Sequence, residues 1–184
     1  MGRELVERAM AADHDAFAEL TRQLAGRLFG VARLILRDSA LAEDATQEAL
    51  VAAWRNIRHL RDPARFEAWI HRLVVNACYQ EARRQRRRVE LESMAVMAPA
   101  PSRDPAGDHA TRDLLERGFR DLDIEFRTAL VLHHYLGYSF AEMATLLGIP
   151  AGTAKSRVHR ATKAVRLALD TGEARPALLE GRSV

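Results

Sequence analysis

The chain has a single cysteine, Cys78, in 184 residues, so it can build neither an internal disulfide framework nor a Cys-cluster zinc site. It has no apolar run of about eighteen residues, which argues against a membrane span. Its first residues, MGRELVERAM, lack the apolar stretch of a signal peptide, so a soluble cytoplasmic protein is expected. It has no P-loop, no G-x-G-x-x-G, no G-x-S-x-G and no H-E-x-x-H. His133 and His134 are adjacent, which on a helix turns them about 100° apart and prevents joint chelation of one ion. The remaining histidines, among them His14, His59, His71 and His109, are scattered. No catalytic residue, metal site or cofactor can be named, and no alternating strand pattern of useful length appears.

Hydrophobic residues make up 48% and charged residues 29%, enough to bury a core. The apolar spacing is helical. Phe17, Leu20, Leu24, Leu28, Val31 and Ile35 form one stripe. Asp38 or Ser39 caps a second helix to about Ile57, with Leu41, Ala45, Ala49, Ala53 and Ile57 inward. Asp62-Pro63 opens a third, with Phe66, Ile70, Leu73, Val74 and Ala77 inward. Segment 93–110, carrying Pro99, Pro101, Pro105 and Gly107, reads as a flexible linker. The expected fold is all-α: a helical domain over 1–92, the linker, a second domain over 111–170 and a frayed tail over 171–184.

The net charge of +3 is small, but its distribution is uneven. Residues 51–92 carry ten Arg against five acids, including the run Arg83-Arg84-Gln85-Arg86-Arg87-Arg88. Residues 153–167 carry Lys155, Arg157, Arg160, Lys163 and Arg166 with no acid. Two cationic blocks in separate segments point to a phosphate-bearing partner, although either alone also suits a solvated helix face. The second block lies on a longer helix after Ser139, a short helix from Phe140 to Leu147 and the turn Gly148 to Gly152. A short helix, a Gly-containing turn and a basic helix describe a helix-turn-helix, whose second member meets base edges by its N-terminal end. Ala154, Val158, Ala161 and Val165 share its inward face, while Lys155, Ser156, His159, Lys163 and Arg166 face away.

On the third helix, Trp69, Arg72, Asn76, Tyr79 and Arg83 fall on one side. An aromatic ring, an amide and guanidinium groups can stack bases, bond their edges and hold phosphates. A Trp69 buried in the core is the alternative. On the second helix, Asp44, Gln47 and Glu48 form an acidic strip beside Glu43, suited to docking a basic protein surface or to a solvated face.

The string from Ala42 to Glu48, AEDATQE, followed by Ala53-Trp54, resembles the AEDxxQExxxxxW signature of bacterial extracytoplasmic-function (ECF) sigma factors. Phe66 to Arg72 with Val75-Asn76 resembles the family's FxxWLxRIxxN segment, and Tyr138 to Ala161 resembles its closing helix-turn-helix. The resemblance covers about residues 12–170, in the family's order. It departs at Gln80, where the family often has Asp, and at Ile70 and Val75. It implies a two-domain subunit of RNA polymerase that directs initiation at particular promoters. Asp44, Gln47 and Glu48 match positions that bind core RNA polymerase at the β′ clamp, with the β flap as a further contact. Leu60, Arg61, Trp69, Arg72, Asn76, Arg83 and Arg84 match the region that opens the promoter's −10 element. Thr153, Lys155, Ser156, Arg157, His159, Arg160 and Lys163 match the region that reads the −35 element as duplex. The implied partners are core RNA polymerase, promoter DNA and an anti-sigma factor, with no membrane insertion. The competing expectations are a stand-alone helix-turn-helix regulator and a sigma-like mimic that sequesters an anti-sigma protein.

Overall fold

The computed structural model describes residues 2–95 and 122–179, with side chains up to 91 and up to 168. Among the described residues every regular element is helical, and the chain divides into two compact units, Met1–Asp104 and Pro105–Val184.

In the first unit, α1 (Arg3–Met10), α2 (His14–Leu36), α3 (Ser39–Asn56) and α4 (Phe66–Ala95) pack together. Helix α2 buries Leu20, Leu24, Leu28, Val31 and Ile35, as the apolar spacing predicts, while Phe17 stays half-buried. Helix α3 offers the core Ala42, Ala45, Ala49 and Ala53 with Thr46, whose hydroxyl donates to the Ala42 carbonyl at 2.6 Å. Such small side chains let α3 approach both α2 and α4, its two main neighbours. Helix α4 buries Phe66, Ile70, Val74, Val75, Ala77 and Cys78. The Cys78 thiol is pushed up to about 12 by burial, which leaves it inert.

The caps follow side-chain chemistry. Asp38 accepts from the Leu41 amide at 2.9 Å and so starts α3. Asp62 accepts from the Ala64 amide at 2.9 Å, but it opens a separate 3-10 turn, Pro63–Arg65, before α4 begins. Helix α1 was not legible from the apolar pattern, since it buries only Val6 and Ala9. Arg8 fastens it to the next helix by donating to Asp13 at 2.7 Å, and Asp13 also accepts from the Ala16 amide at 2.9 Å. Those two bonds, the backbone one first, hold the Asp13 carboxyl below its usual pKa.

In the second unit, α5 (Ile124–Leu130) runs into one π-helical turn, Val131–Tyr135, followed by α6 (Phe140–Leu147) and α7 (Ala151–Leu179). Both α5 and α6 pack on α7. Leu130 and Ala161 form a cluster with Leu122, flanked by Phe126, Ala164 and Val165, and Met143, Ala154 and Val158 are also buried. Within the connection to α6, His133 Nδ1 donates to the Tyr138 carbonyl at 2.8 Å. Its ring stacks on Phe140 with centroids 4.7 Å apart. Ser139 and Glu142 then close a full capping box at the start of α6. Gly148 ends α6 in the left-handed region at φ 67°.

Two boundaries differ from the pattern-based reading. Helix α4 continues to Ala95, three residues into the segment read as linker, and residues 96–110 lie outside the described residues. Helix α7 continues to Leu179 instead of ending near Leu169, so most of the segment read as a frayed tail is helical. Residues 180–184 lie outside the described residues.

At Gly148 a Cβ would meet nothing within 4 Å, so the cost of substitution there is conformational alone. Gly148→Ala is expected to destabilise the second unit by about 1–2 kcal/mol and Gly148→Asn by clearly less, because Asn tolerates the left-handed region. Thermal melts compare the two; equal losses would mean that φ is not what the position selects. Thr128 is fully buried and its hydroxyl has no hydrogen-bond partner. Thr128→Val, of nearly equal shape, is therefore expected to raise stability by about 1 kcal/mol in chemical denaturation.

Candidate nucleic-acid interface and docking face

Helix α4 presents Trp69, Arg72, Asn76, Tyr79 and Arg83 at spacings of three and four. Arg72, Asn76 and Arg83 are exposed, and Trp69 and Tyr79 are half-buried. Trp69 leans on the buried Phe66, with ring centroids 5.8 Å apart and planes tilted by 43°, so the indole is anchored without being enclosed. The alternative of a core tryptophan therefore holds only in part. Leu60, half-buried, and Arg61, exposed, lie between the 3-10 turns Ile57–His59 and Pro63–Arg65, on the loop that feeds into α4. Helix α1 packs against both of these turns and supports the loop from behind.

Arg84 behaves differently from the rest of its basic run. It donates to Glu48 on α3 at 3.0 Å and 3.3 Å, and it pairs with the buried Glu81 on its own helix. Of the acidic strip on α3, Asp44 and Gln47 are exposed, whereas Glu48 is half-buried and held by this arginine.

Beside the strip lies a feature that sequence reasoning missed. Phe17, Phe29, Leu50, Val51 and Trp54, with Glu43 and Gln47, line a largely apolar groove of about 630 Å³ between α2 and α3. Trp54 is 40% exposed and is held edge-on by His14 and Phe17, at centroid distances of 4.8 Å and 4.9 Å. The available signal was a pair of apolar residues, Val51 and Trp54, lying off the alanine stripe of α3.

In the second unit, Lys155, Ser156, His159, Arg160 and Lys163 are exposed on α7, opposite buried Ala154, Val158 and Ala161. Thr153 and Arg157 sit half-buried at the margins. The Ser156 hydroxyl donates to the Thr153 carbonyl at 3.0 Å, which tethers it to its own helix. Among the described residues, no group of three or more His, Cys, Asp or Glu is placed to hold a metal ion. No described helix is long and apolar enough to cross a membrane.

The Sigma-70 region 2 family matches residues 20–88, and the Sigma-70 region 4 family matches residues 113–165. The chain is 36% identical over 160 residues to the ECF RNA polymerase sigma factor SigM of Mycobacterium tuberculosis, covering 86% of this chain and 79% of that protein. The chain belongs to the ECF sigma-factor family. It is also 34% identical over 167 residues to SigL of the same organism, covering 89% of this chain and 94% of that one. Among solved structures it is similar to the sigma factor RpoE from Bartonella quintana, crystallised with the anti-sigma factor NepR. That likeness has a TM-score of 0.69 at 26% identity and covers 84% of this chain and 96% of that one. CnrH, solved in complex with the cytosolic domain of CnrY, gives a TM-score of 0.63 at 26% identity, covering 92% and 97%. The chain is an alternative sigma factor. A stand-alone helix-turn-helix regulator is not favoured, because the similarity spans both units.

On the core side of α4 in this sigma factor, His71 is buried. Burial draws its imidazole pKa below the ordinary value, with Glu67 opposing and Arg27 assisting. The unfolded chain therefore takes up a proton near pH 6.5 that the folded chain refuses, and stability falls as pH drops below about 6.5. His71→Gln is expected to flatten that part of the stability profile between about pH 7 and 5. An unchanged slope in pH-dependent melts would remove His71 as its source.

Proposed function

We propose that this ECF sigma factor divides promoter recognition between its units, with α3 docking the core enzyme, the α4 face holding opened DNA and α7 reading duplex. The observation that carries the reading is the sidedness of α7. Its buried Ala154, Val158 and Ala161 stand opposite exposed Lys155, Ser156, His159, Arg160 and Lys163, directly behind a turn set by Gly148. A basic helix presented in this way can enter the major groove by its N-terminal end, where cations hold backbone and polar groups bond base edges. Thr153 and Arg157 flank that surface and complete the −35 set.

For the −10 element, Asn76 and the anchored Trp69 are suited to an unstacked base, with Leu60 and Arg61 closing the loop side. Arg72 and Arg83 supply phosphate contacts. Asp44, Gln47 and Glu48 are suited to a basic face of core RNA polymerase at the β′ clamp, and the second unit to the β flap. Each unit alone binds DNA weakly, and the polymerase that places both on one promoter supplies avidity. The RpoE and CnrH relatives, each solved with a bound partner, support expecting an anti-sigma factor here. The chain works in the cytoplasm, where the polymerase is, and carries out no bond chemistry of its own.

Run-off transcription tests the reading. Added to a bacterial core RNA polymerase, the chain is expected to produce transcripts from a defined subset of its own genome's promoters. No transcript above core alone would overturn it. Asp44→Ala with Gln47→Ala is expected to weaken co-elution with core while the free chain keeps its melting temperature. His159→Ala with Arg160→Ala is expected to weaken holoenzyme binding to duplex promoter by roughly 1–3 kcal/mol per lost contact. Wild-type promoter affinity in that variant would remove α7 as the reading helix.

A further inference from the structure

Arg84 sits in an exposed Arg-rich run, yet its half-exposed guanidinium is engaged by two carboxylates. It donates to Glu48 Oε2 at 3.0 Å and to Glu48 Oε1 at 3.3 Å, across the packed α3–α4 pair, and it pairs with Glu81 one turn back. The Glu81 side chain is only 10% exposed, against 35% for Glu48 and 51% for Arg84. A carboxylate as enclosed as Glu81 needs a cationic partner, which keeps Arg84 at home. The planar fork then spans two carboxylates at once, a geometry that a lysine ammonium cannot reproduce. Glu48 is thereby fixed in one orientation at the edge of the acidic strip, beside exposed Asp44 and Gln47.

We infer that Arg84 is a positioning residue for the docking strip, holding Glu48 in place for the core polymerase, and is not one of the DNA-phosphate contacts of the basic run. The inference rests on the assignment of Asp44, Gln47 and Glu48 to polymerase docking. Its physical content is pre-organisation. A Glu48 side chain already ordered by Arg84 loses little rotamer freedom on binding, and the anchored arginine is withheld from the DNA backbone. Arg83, Arg86 and Arg87, all exposed on the same helix, remain for phosphate.

The test separates the two roles with full-length protein. Affinity for a purified bacterial core RNA polymerase is measured by fluorescence anisotropy. The salt slope of holoenzyme binding is measured on mixed-sequence single-stranded DNA. Arg84→Gln is expected to weaken core binding by about tenfold and to leave the salt slope as in wild type, whereas Arg83→Gln lowers the slope by about one phosphate contact. Glu48→Gln is expected to weaken core binding by a similar factor, and the Arg84→Gln, Glu48→Gln pair by no more than either alone, because both act through one group. Arg84→Lys is expected to recover only part of the loss. Where Arg84→Gln melts early because Glu81 is stranded, the Arg84→Gln, Glu81→Gln variant leaves no buried charge unpaired and serves in its place.

A reduced salt slope with wild-type core affinity in Arg84→Gln would overturn the inference and return Arg84 to the DNA surface. Fully additive losses in the double variant would overturn it as well. Failure of the underlying assignment looks different: Asp44→Ala, Gln47→Ala and Glu48→Gln would then all bind core as wild type does.

Discussion

Ala42, Ala45, Ala49 and Ala53 let α3 lie close against α2 and α4 at once, and the rest of the first unit depends on that fit. A helix that seats itself through methyl groups commits little of its circumference to the core. The remaining circumference of α3 carries Glu43, Asp44, Gln47, Val51 and Trp54 at or near the surface. Enlarging one of those alanines would push α3 outward against close-packed neighbours and move the acidic strip with it. The acidic strip and the core of this sigma factor are therefore two sides of one packing solution. The same closeness brings Glu48 within reach of Arg84, 36 residues along the chain.

In the second unit, a few local bonds shape the connections between its helices. His133 ties the connection before α6 to the Tyr138 carbonyl and stacks on Phe140. The Ser139–Glu142 box starts α6, and Gly148 turns the chain out of it. Pro150 then offers its carbonyl to the amides of Thr153 and Ala154, at 2.9 Å and 3.1 Å, as α7 begins. These few bonds set the angle at which α7 leaves the turn, and with it the direction in which Lys155, His159 and Arg160 project.

Much of the fold was legible because long amphipathic helices repeat their apolar residues every three or four positions, as α2 and α4 do. The caps Asp38, Asp62 and Ser139 were legible because their side chains have one strong local use, accepting the free amides of a helix start. Helix α1 escaped because two buried residues make no period. The end of α7 escaped because the segment 171–184 reads as a frayed tail, yet the helix continues to Leu179. The groove beside α3 was invisible for a related reason: Phe17 and Phe29 belong to one helix and Trp54 to another, and only packing brings them to one wall.

From its residues alone, this chain determined that it would be helical, that it would carry two cationic segments, and that its last helices would form a turn-linked pair, since period, charge and cap chemistry are local properties. Tertiary structure decided which of those charges are available. Arg83 and Arg84 are neighbours of identical chemistry, but a helix points them about 100° apart. Both are exposed, but only Arg84 is turned to the side where Glu48 and Glu81 hold its guanidinium. Glu81 lies one turn from Arg84 on the same helix and is legible locally, but Glu48 lies 36 residues away, and where distant segments pack is written in no window of the sequence.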